Sequence, residues 1–393
     1  MRQPRVILSV TNDLVTDQRV HRSCSALSEA GFRVTLVGRR LPGSAPLQRP
    51  YHTRRLTLLF RKKALFYAEY NLRLFLHLLF APADLFYAND TDTLLANYLA
   101  ARLRRKPLFF DAHEMFPEVP ELVGRDRVRR VWTKIEDLIF PRLARRPDMA
   151  AVTVCQSIAD IYRQRYGLSM AVVRNVPLPS PSSPAPVDDL LAAVPAGKRI
   201  LLYQGAVNIG RGIEWMMAAM PHLAECHFLV AGDGDIFSSL QRQADAMPNV
   251  TFLGRLEPQR LKALTLHADL GISLLENRGL NYYYSLPNRL ADFVQAHVPV
   301  LATDFPEIHR LVATYDIGTL VPPAPYDADT QTSTPPDPVQ LAATVRATPA
   351  HWDALPTQRR HDLFARAAAD LSWNNDKQTL LSTIHTIIKN KPR

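Results

Sequence analysis

One pattern constrains this chain more than any other. Short β-rich runs alternate with helical stretches, the alternation stops, and then it begins again. Runs at Arg5–Val10, Arg33–Val37, Asp84–Ala88, Leu108–Asp111 and Met149–Val154 read as strands. Helical patterns at Val20–Ala30, Thr91–Arg104 and Arg127–Ala144 lie between them, and Gly31 is placed to end the first. The second series has strands at Arg199–Gln204, His227–Ala231, Val250–Leu253, Leu270–Leu274 and Val298–Ala302. Its helices are Arg211–Met220, Ile236–Ala246, Gln259–His267 and Pro287–Ala296. Strands joined through helices pair in parallel, with helices on both sheet faces. The expected class is α/β, with two Rossmann-like, doubly wound domains. Such sheets bind ligands at the carboxyl ends of their strands, and two in tandem favour a cleft between them.

The break is Val176–Lys198, VPLPSPSSPAPVDDLLAAVPAGK, whose Pro/Ser content is linker chemistry. The expected division is a domain over 1–175, a linker over 176–198, a domain over 199–370 and a helical segment over 371–393. Pro322–Pro338 reads as an exposed insertion, followed by helical patterns at Val339–Ala347, Thr357–Ala369 and Asp376–Lys389. The absence of a repeat of 20 to 50 residues excludes a solenoid.

Charge narrows the partners. Lys and Arg number 47 against 37 Asp and Glu, a formal net charge of +10. That suits nucleotide phosphates, nucleic acid or an anionic membrane. Nucleic acid is not expected, because aromatics interleave with basic residues only loosely, over Arg54–Tyr70. Cys24, Cys155 and Cys226 are scattered singly, which argues against a zinc site and fits a reducing, cytoplasmic setting. MRQPRVILSV runs straight into a strand, so no signal peptide is expected.

A spanning helix is not expected either. The nearest approach, Ala64–Pro82, is interrupted by Glu69, Arg73 and His77 on one helical face, beside a face of Phe66, Tyr70, Leu74 and Leu78. Arg54, Arg55, Arg61, Lys62 and Lys63 precede it. Two readings stay open: a helix packed on a sheet, or a basic amphipathic helix resting on an anionic leaflet.

Three segments of the second half carry chemistry. In LLYQGAVNIGRGIE a strand ends at Gly205 and Arg211 is expected to open a helix, an arrangement that offers amides and a guanidinium to phosphate. In FLVAGDGD a strand ends at Gly232; Asp233 and Asp235 are turn and cap residues, or a DxD-like metal pair. In NYYYSLPNRLADFVQAHVPVLATDFPEI, Ser285 is expected to begin a helix that contains Pro287, Asn288 and Asp292, and Asp304 stands at another helix start. Two helix N-termini and a carboxylate suit a nucleotide diphosphate and its ribose.

In the first half FFDAHEMFPEVPEL places His113 and Glu114 at a strand end. His113 is a substrate contact, a general base or a structural turn residue. Asn12, Asp17, Arg19 and His21 surround the first helix start, and Asp90 or Asp92, in YANDTDT, is expected to cap the helix that follows.

The Asn281–Ile308 block resembles the donor-binding region of the retaining GT-B glycosyltransferases of family 4. That family carries two glutamates separated by seven residues, then Ala-x-x-x-Gly-x-Pro-Val. Here the second acid falls on Asp292, Tyr284 occupies the first position, and His297 replaces the glycine before x-Pro-Val. Arg211 takes the place of the family's phosphate-contacting lysine, Ala206 and Val207 stand where a companion arginine would be, and Glu307 matches a later acid.

The resemblance implies a GT-B fold, two Rossmann-like domains facing a central cleft. It implies sugar transfer from a nucleoside-diphosphate sugar, with retention, to a glycan or lipid-linked acceptor. Donor contacts would be Gly205, Arg211, Gly232, Tyr284, Ser285, Leu286, Asn288, Asp292 and Asp304. Acceptor contacts would be Asn12, Asp17, Arg19 and His113. His113, Glu114 and Arg211 would be catalytic, with no metal and no other cofactor. Domain closure would exclude water, in surface polysaccharide or glycolipid assembly at the inner membrane face. A GT-B epimerase and a non-catalytic sugar-nucleotide-binding protein are the alternatives; a phosphorylase would want a lysine for pyridoxal phosphate in a strand-end turn, and none stands there.

Overall fold

The computed structural model describes residues 3–15, 17–119, 125–176, 185–327 and 332–389. The chain forms two compact units, one of Met1–Asn175 with Asn374–Arg393 and one of Val176–Trp373.

The first unit runs β1 (Arg5–Asp13), α1 (Gln18–Glu29), β2 (Arg33–Arg39), β3 (His52–Leu56), α2 (Lys63–Phe80), β4 (Leu85–Asn89), α3 (Thr91–Arg104), β5 (Leu108–Ala112), α4 (Asp126–Leu143), β6 (Met149–Thr153), α5 (Gln156–Tyr166) and β7 (Ala171–Val172). Its strands pair in parallel in the order β3-β2-β1-β4-β5-β6-β7. The order turns back between β1 and β4, which leaves a crevice at their carboxyl ends. β4 and β5 are buried along their whole length, as apolar runs covered on both faces must be. The edge strand β3, HTRRL, is polar and was not legible as a strand.

α2 buries Phe66, Tyr70, Leu74 and Leu78, the stripe expected from its period. Its outer face is not simply polar. Leu65, Leu72, Leu76 and Phe80 are exposed there, and Leu95, Leu99 and Leu103 are exposed on α3.

The second unit runs α6 (Asp188–Leu191), β8 (Arg199–Gln204), α7 (Ile213–Ala219), β9 (Cys226–Ala231), α8 (Phe237–Ala244), β10 (Val250–Gly254), α9 (Pro258–Thr265), β11 (Leu270–Ser273), α10 (Leu280–Tyr283), α11 (Asn288–Gln295), β12 (Val300–Thr303), α12 (Pro306–Tyr315) and β13 (Gly318–Val321). A hairpin, β14 (Tyr326–Asp327) with β15 (Thr332–Ser333), and two helices, α13 (Pro338–Asp353) and α14 (Thr357–Asp370), follow. The parallel sheet has the order β10-β9-β8-β11-β12-β13, and its switch point lies between β8 and β11.

Val176 and Val187, inside the Pro/Ser-rich segment, are buried in this unit's core; residues 177–184 of that segment lie outside the described residues, as do 328–331 of the Pro-rich insertion. The last helix, α15 (Trp373–Lys389), begins in the second unit and from Asn374 belongs to the first. There Asp376 Oδ1 accepts from Arg174 N at 2.9 Å and Lys377 pairs with Glu29.

Candidate functional site

In the second unit β8 and β9 end on glycines that touch. A Cβ on Gly232 would stand 1.8 Å from the Gly205 carbonyl oxygen, so only glycine allows this approach. Gly205 itself is exposed and forms a floor at the switch point. Arg289 lies against that floor. Its side chain is buried, its guanidinium sits 4.3 Å over the Tyr203 ring, and its Nη2 is 3.5 Å from where a Gly205 Cβ would be. Nη1 is buried without a hydrogen-bond partner among the described residues. Burial is the largest influence on Arg289 and lowers its pKa, as does nearby Arg211.

Arg211 is placed by two left-handed glycines, Gly210 at φ +83° and Gly212 at φ +67°. They hold it in the loop, and α7 begins only at Ile213, so Arg211 does not open the helix as expected. Its guanidinium rests 4.9 Å over the Tyr282 ring, with Nε buried and without a hydrogen-bond partner among the described residues. Two neighbouring guanidinium groups with unfilled N–H directions, one of them against an exposed backbone floor, are suited to an anion.

Of the remaining donor candidates, Ser285 and Asp304 are placed differently from expectation, whereas Asn288 and Asp292 lie within α11 as expected. Ser285 does not start a helix: its hydroxyl donates to the Tyr282 carbonyl at 2.8 Å, and α11 begins at Asn288. Asn288 is exposed, Leu286 packs against the core, and the Tyr284 ring lies edge-on to Tyr283 at 4.9 Å. Asp292 Oδ2 accepts from Gln204 Nε2 at 2.9 Å, which ties this carboxyl to the end of β8, and burial pushes its pKa up to about 6. Asp304 caps nothing. It pairs with His309 at 2.6 Å, and α12 begins at Pro306. Glu307 makes two 2.9 Å contacts to Arg310. Asp233 Oδ1 accepts from Gly234 N, as a turn residue does. Among the described residues no group of three or more His, Cys, Asp or Glu is set to hold a metal.

In the first unit the carboxyl ends of β1, β4 and β5 gather a charged cluster. Arg19 Nη2 donates to Asp111 Oδ1 at 2.8 Å and to the Val173 carbonyl at 2.9 Å. Tyr87 Oη donates to Asp111 Oδ2 at 2.7 Å. Burial would raise the Asp111 carboxyl, but Arg19 and His113 hold it well below the usual range. His113 lies between two acids, Nδ1 at 3.1 Å from Asp90 Oδ2 and Nε2 at 3.5 Å from Asp111 Oδ2. Burial would lower its pKa; the two carboxylates outweigh that and lift it to about 10. Two flanking carboxylates favour the protonated ring, which weighs against the general-base reading.

Asp90, at φ +57°, stands at the helix start but its side chain does not cap α3; its Oδ1 accepts from His113 N at 2.7 Å instead. Asp92 is buried and accepts from Thr11 Oγ1. Burial, then Asp90 and Glu114, push its pKa up to about 8. Glu114 is half-buried.

Of the acceptor candidates, Arg19 is sealed in its ion pair and acts as a strut. Asp17 is the cap of α1, accepting from Val20 N at 3.0 Å, and Asn12 donates to it at 3.1 Å. His21 is 2.8 Å from Tyr51 Oη. Asn12 is exposed, whereas Asp17 and His113 are half-buried and both His113 ring nitrogens face carboxylates.

Arg289 escaped sequence reading, although one signal was present. A basic residue in the first turn of a helix opposes the helix dipole, so an arginine there wants an anion.

Two family models match the chain: Glycosyltransferase Family 4 over residues 17–177 and Glycosyl transferases group 1 over residues 198–333. Together they span about three quarters of it. No curated protein sequence matches. Among solved structures, sucrose-phosphate synthase from Thermosynechococcus elongatus is similar at TM-score 0.74 and 18% identity, covering 99% of this chain and 100% of that one. A glycosyltransferase from Rickettsia africae follows at 0.72 and 12%, with 99% and 100% covered. HepE of Anabaena, in complex with UDP-glucose, gives 0.66 and 14%, with 97% and 99% covered. The shared fold is GT-B.

Proposed function

The chain belongs to the family 4, group 1 glycosyltransferases, and on that premise we propose that it moves a sugar from a nucleoside-diphosphate sugar to an acceptor hydroxyl. The observation that carries this reading is the pair of neighbouring guanidinium groups, Arg211 and Arg289, with unfilled N–H directions, Arg289 lying against the exposed Gly205 floor. They suit a diphosphate whose negative charge grows as the glycosidic bond breaks, and fixed cations aimed at that charge are electrostatic catalysis. Asp292, steadied by Gln204, is the acid for the ribose hydroxyls. The UDP-glucose held by HepE, which shares the fold, supports a nucleotide-sugar donor.

The acceptor, a glycan or lipid-linked hydroxyl, takes the first unit's cluster of His113, Glu114 and Asn12. His113, held between Asp90 and Asp111, adds positive charge beneath the acceptor rather than a free hydrogen-bond donor. Retention of configuration is part of the reading, as is transfer without a metal. So is a place at an anionic membrane surface, in assembly of a polysaccharide or glycolipid. The exposed leucines of α2 and α3, beside exposed Arg61, Lys62 and Lys63, support that place. No helix among the described residues is long and apolar enough to cross a membrane.

The test is thermal unfolding with a panel of UDP, GDP, ADP and TDP sugars. A ligand of the native state at a hundred times its Kd stabilises by about 2.7 kcal/mol. At least one donor raises the melting temperature; no rise with any of them overturns the donor site. Stabilisation without turnover on any acceptor favours the second reading, a sugar-nucleotide-binding protein, which Tyr284 in place of an acid keeps open.

A further inference from the structure

A second anion site lies at the opposite end of the first sheet. The amino ends of β1, β2 and β3 and the last turn of α2 enclose a cavity of about 460 Å³, lined by Arg5, Arg33, His52, Arg54 and His77 over Ile7 and Thr35. That volume is within the range of small-ligand pockets.

The parallel register explains the cluster. Ile7 pairs with Thr35, and Thr35 with His52. Side chains two apart share a sheet face, so Arg5, Arg33, His52 and Arg54 line one side while α2 brings His77 over it. The cavity's floor is buried at Ile7, and Arg33, His52 and Arg54 are exposed at its rim. Arg5 is neutralised by Asp84 at 3.4 Å. No carboxylate among the described residues pairs with Arg33 or Arg54. His77 Nε2 is buried with no hydrogen-bond partner among them. Two unneutralised arginines beside an unpartnered buried ring nitrogen suit an anion.

We propose that this cavity binds a phosphate group, free or carried as a lipid headgroup, independently of the donor site. Arg33 and Arg54 supply charged forks at the rim and His77 a ring nitrogen inside.

The experiment is calorimetric titration of the full chain with inorganic phosphate, and cosedimentation with phosphatidylcholine vesicles containing or lacking phosphatidic acid. Both are run on the wild type, on Arg33→Gln/Arg54→Gln and on Arg211→Ala. The double variant, with both changes at exposed positions, is expected to lose at least tenfold in affinity at this cavity, a loss that Arg211→Ala, which alters the proposed donor site, does not share. Binding to phosphate alone assigns a soluble ligand; binding to phosphatidic acid vesicles alone assigns a lipid headgroup. Wild-type binding to neither probe, or equal binding by the double variant, overturns the proposal. Should the double variant unfold, Arg54→Glu alone, read against its own melting curve, gives the same discrimination.

Discussion

Arg19 and Asp111 form an ion pair sealed inside the first unit, 2.8 Å apart with side chains 8% and 1% exposed. One sits in the first turn of α1 and the other near the end of β5, so the pair fastens a helix start to the rim of the candidate acceptor site. Removing one partner of a buried pair strands the other charge, at a cost of about 3–5 kcal/mol. Arg19→Ala is therefore expected to lower the melting temperature sharply, read by calorimetry; a change smaller than a degree would show that Asp111 is held by Tyr87 and His113 instead.

Acidity should act on this cluster in two windows. Asp111 is depressed in the folded state, so its stabilisation is present above the ordinary carboxylate value, about 4, and is lost as pH falls below it. Asp92 is raised to about 8, so its contribution is full below pH 4 and is lost as pH rises from there through 8. Asp92→Asn, which keeps the shape and cannot ionise, is expected to lessen the loss between pH 5 and pH 9, leaving the part that His113 causes as pH rises from about 6.5 through 10 and leaving the lower window. Chemical denaturation at pH 5 and pH 9 checks this; identical pH slopes in variant and wild type would place the sensitivity elsewhere.

At the proposed donor site, Arg211→Ala and Arg289→Gln are each expected to reduce turnover by about a hundredfold, the usual effect of deleting one preorganised charge-stabilising donor. Steady-state kinetics with the donor identified by thermal shift supply the measurement. Unchanged turnover in Arg289→Gln would reduce that arginine to a core residue stacked on Tyr203.

Gly232→Ala should disable the second unit. The new methyl would overlap the Gly205 carbonyl at 1.8 Å, and neither strand end can retreat without breaking β8–β9 pairing. A destabilisation of more than about 4 kcal/mol is expected, followed by intrinsic fluorescence during urea unfolding.

Neutralising Arg61, Lys62 and Lys63 together is expected to weaken binding to anionic vesicles roughly a hundredfold, at about 1 kcal/mol per basic residue. Equal cosedimentation of the triple variant would defeat the membrane reading.

The two sheets were legible because parallel strands buried on both faces leave unbroken apolar runs, as at Leu85–Asn89 and Cys226–Ala231. β3 was hidden by its polar edge sequence. Arg211 was placed on a helix because a glycine before a helical pattern does not reveal its own φ, and the left-handed turn at Gly212 delays α7. Ser285 looked like a cap, but its hydroxyl is spent on Tyr282. Arg289 was passed over because it is embedded in the apolar pattern of α11, and only the fold sets it against Gly205. Helical period found the buried stripe of α2 but could not say whether its other leucines had neighbours.

The path of α15 fixes an order of events during synthesis. Residues 374–389, which supply Asp376 to Arg174 and Lys377 to Glu29, are made after every residue of the second unit. The unit that begins first therefore closes last. Until then the first unit lacks its final helix, and Phe32 lacks the His385 ring that packs against it.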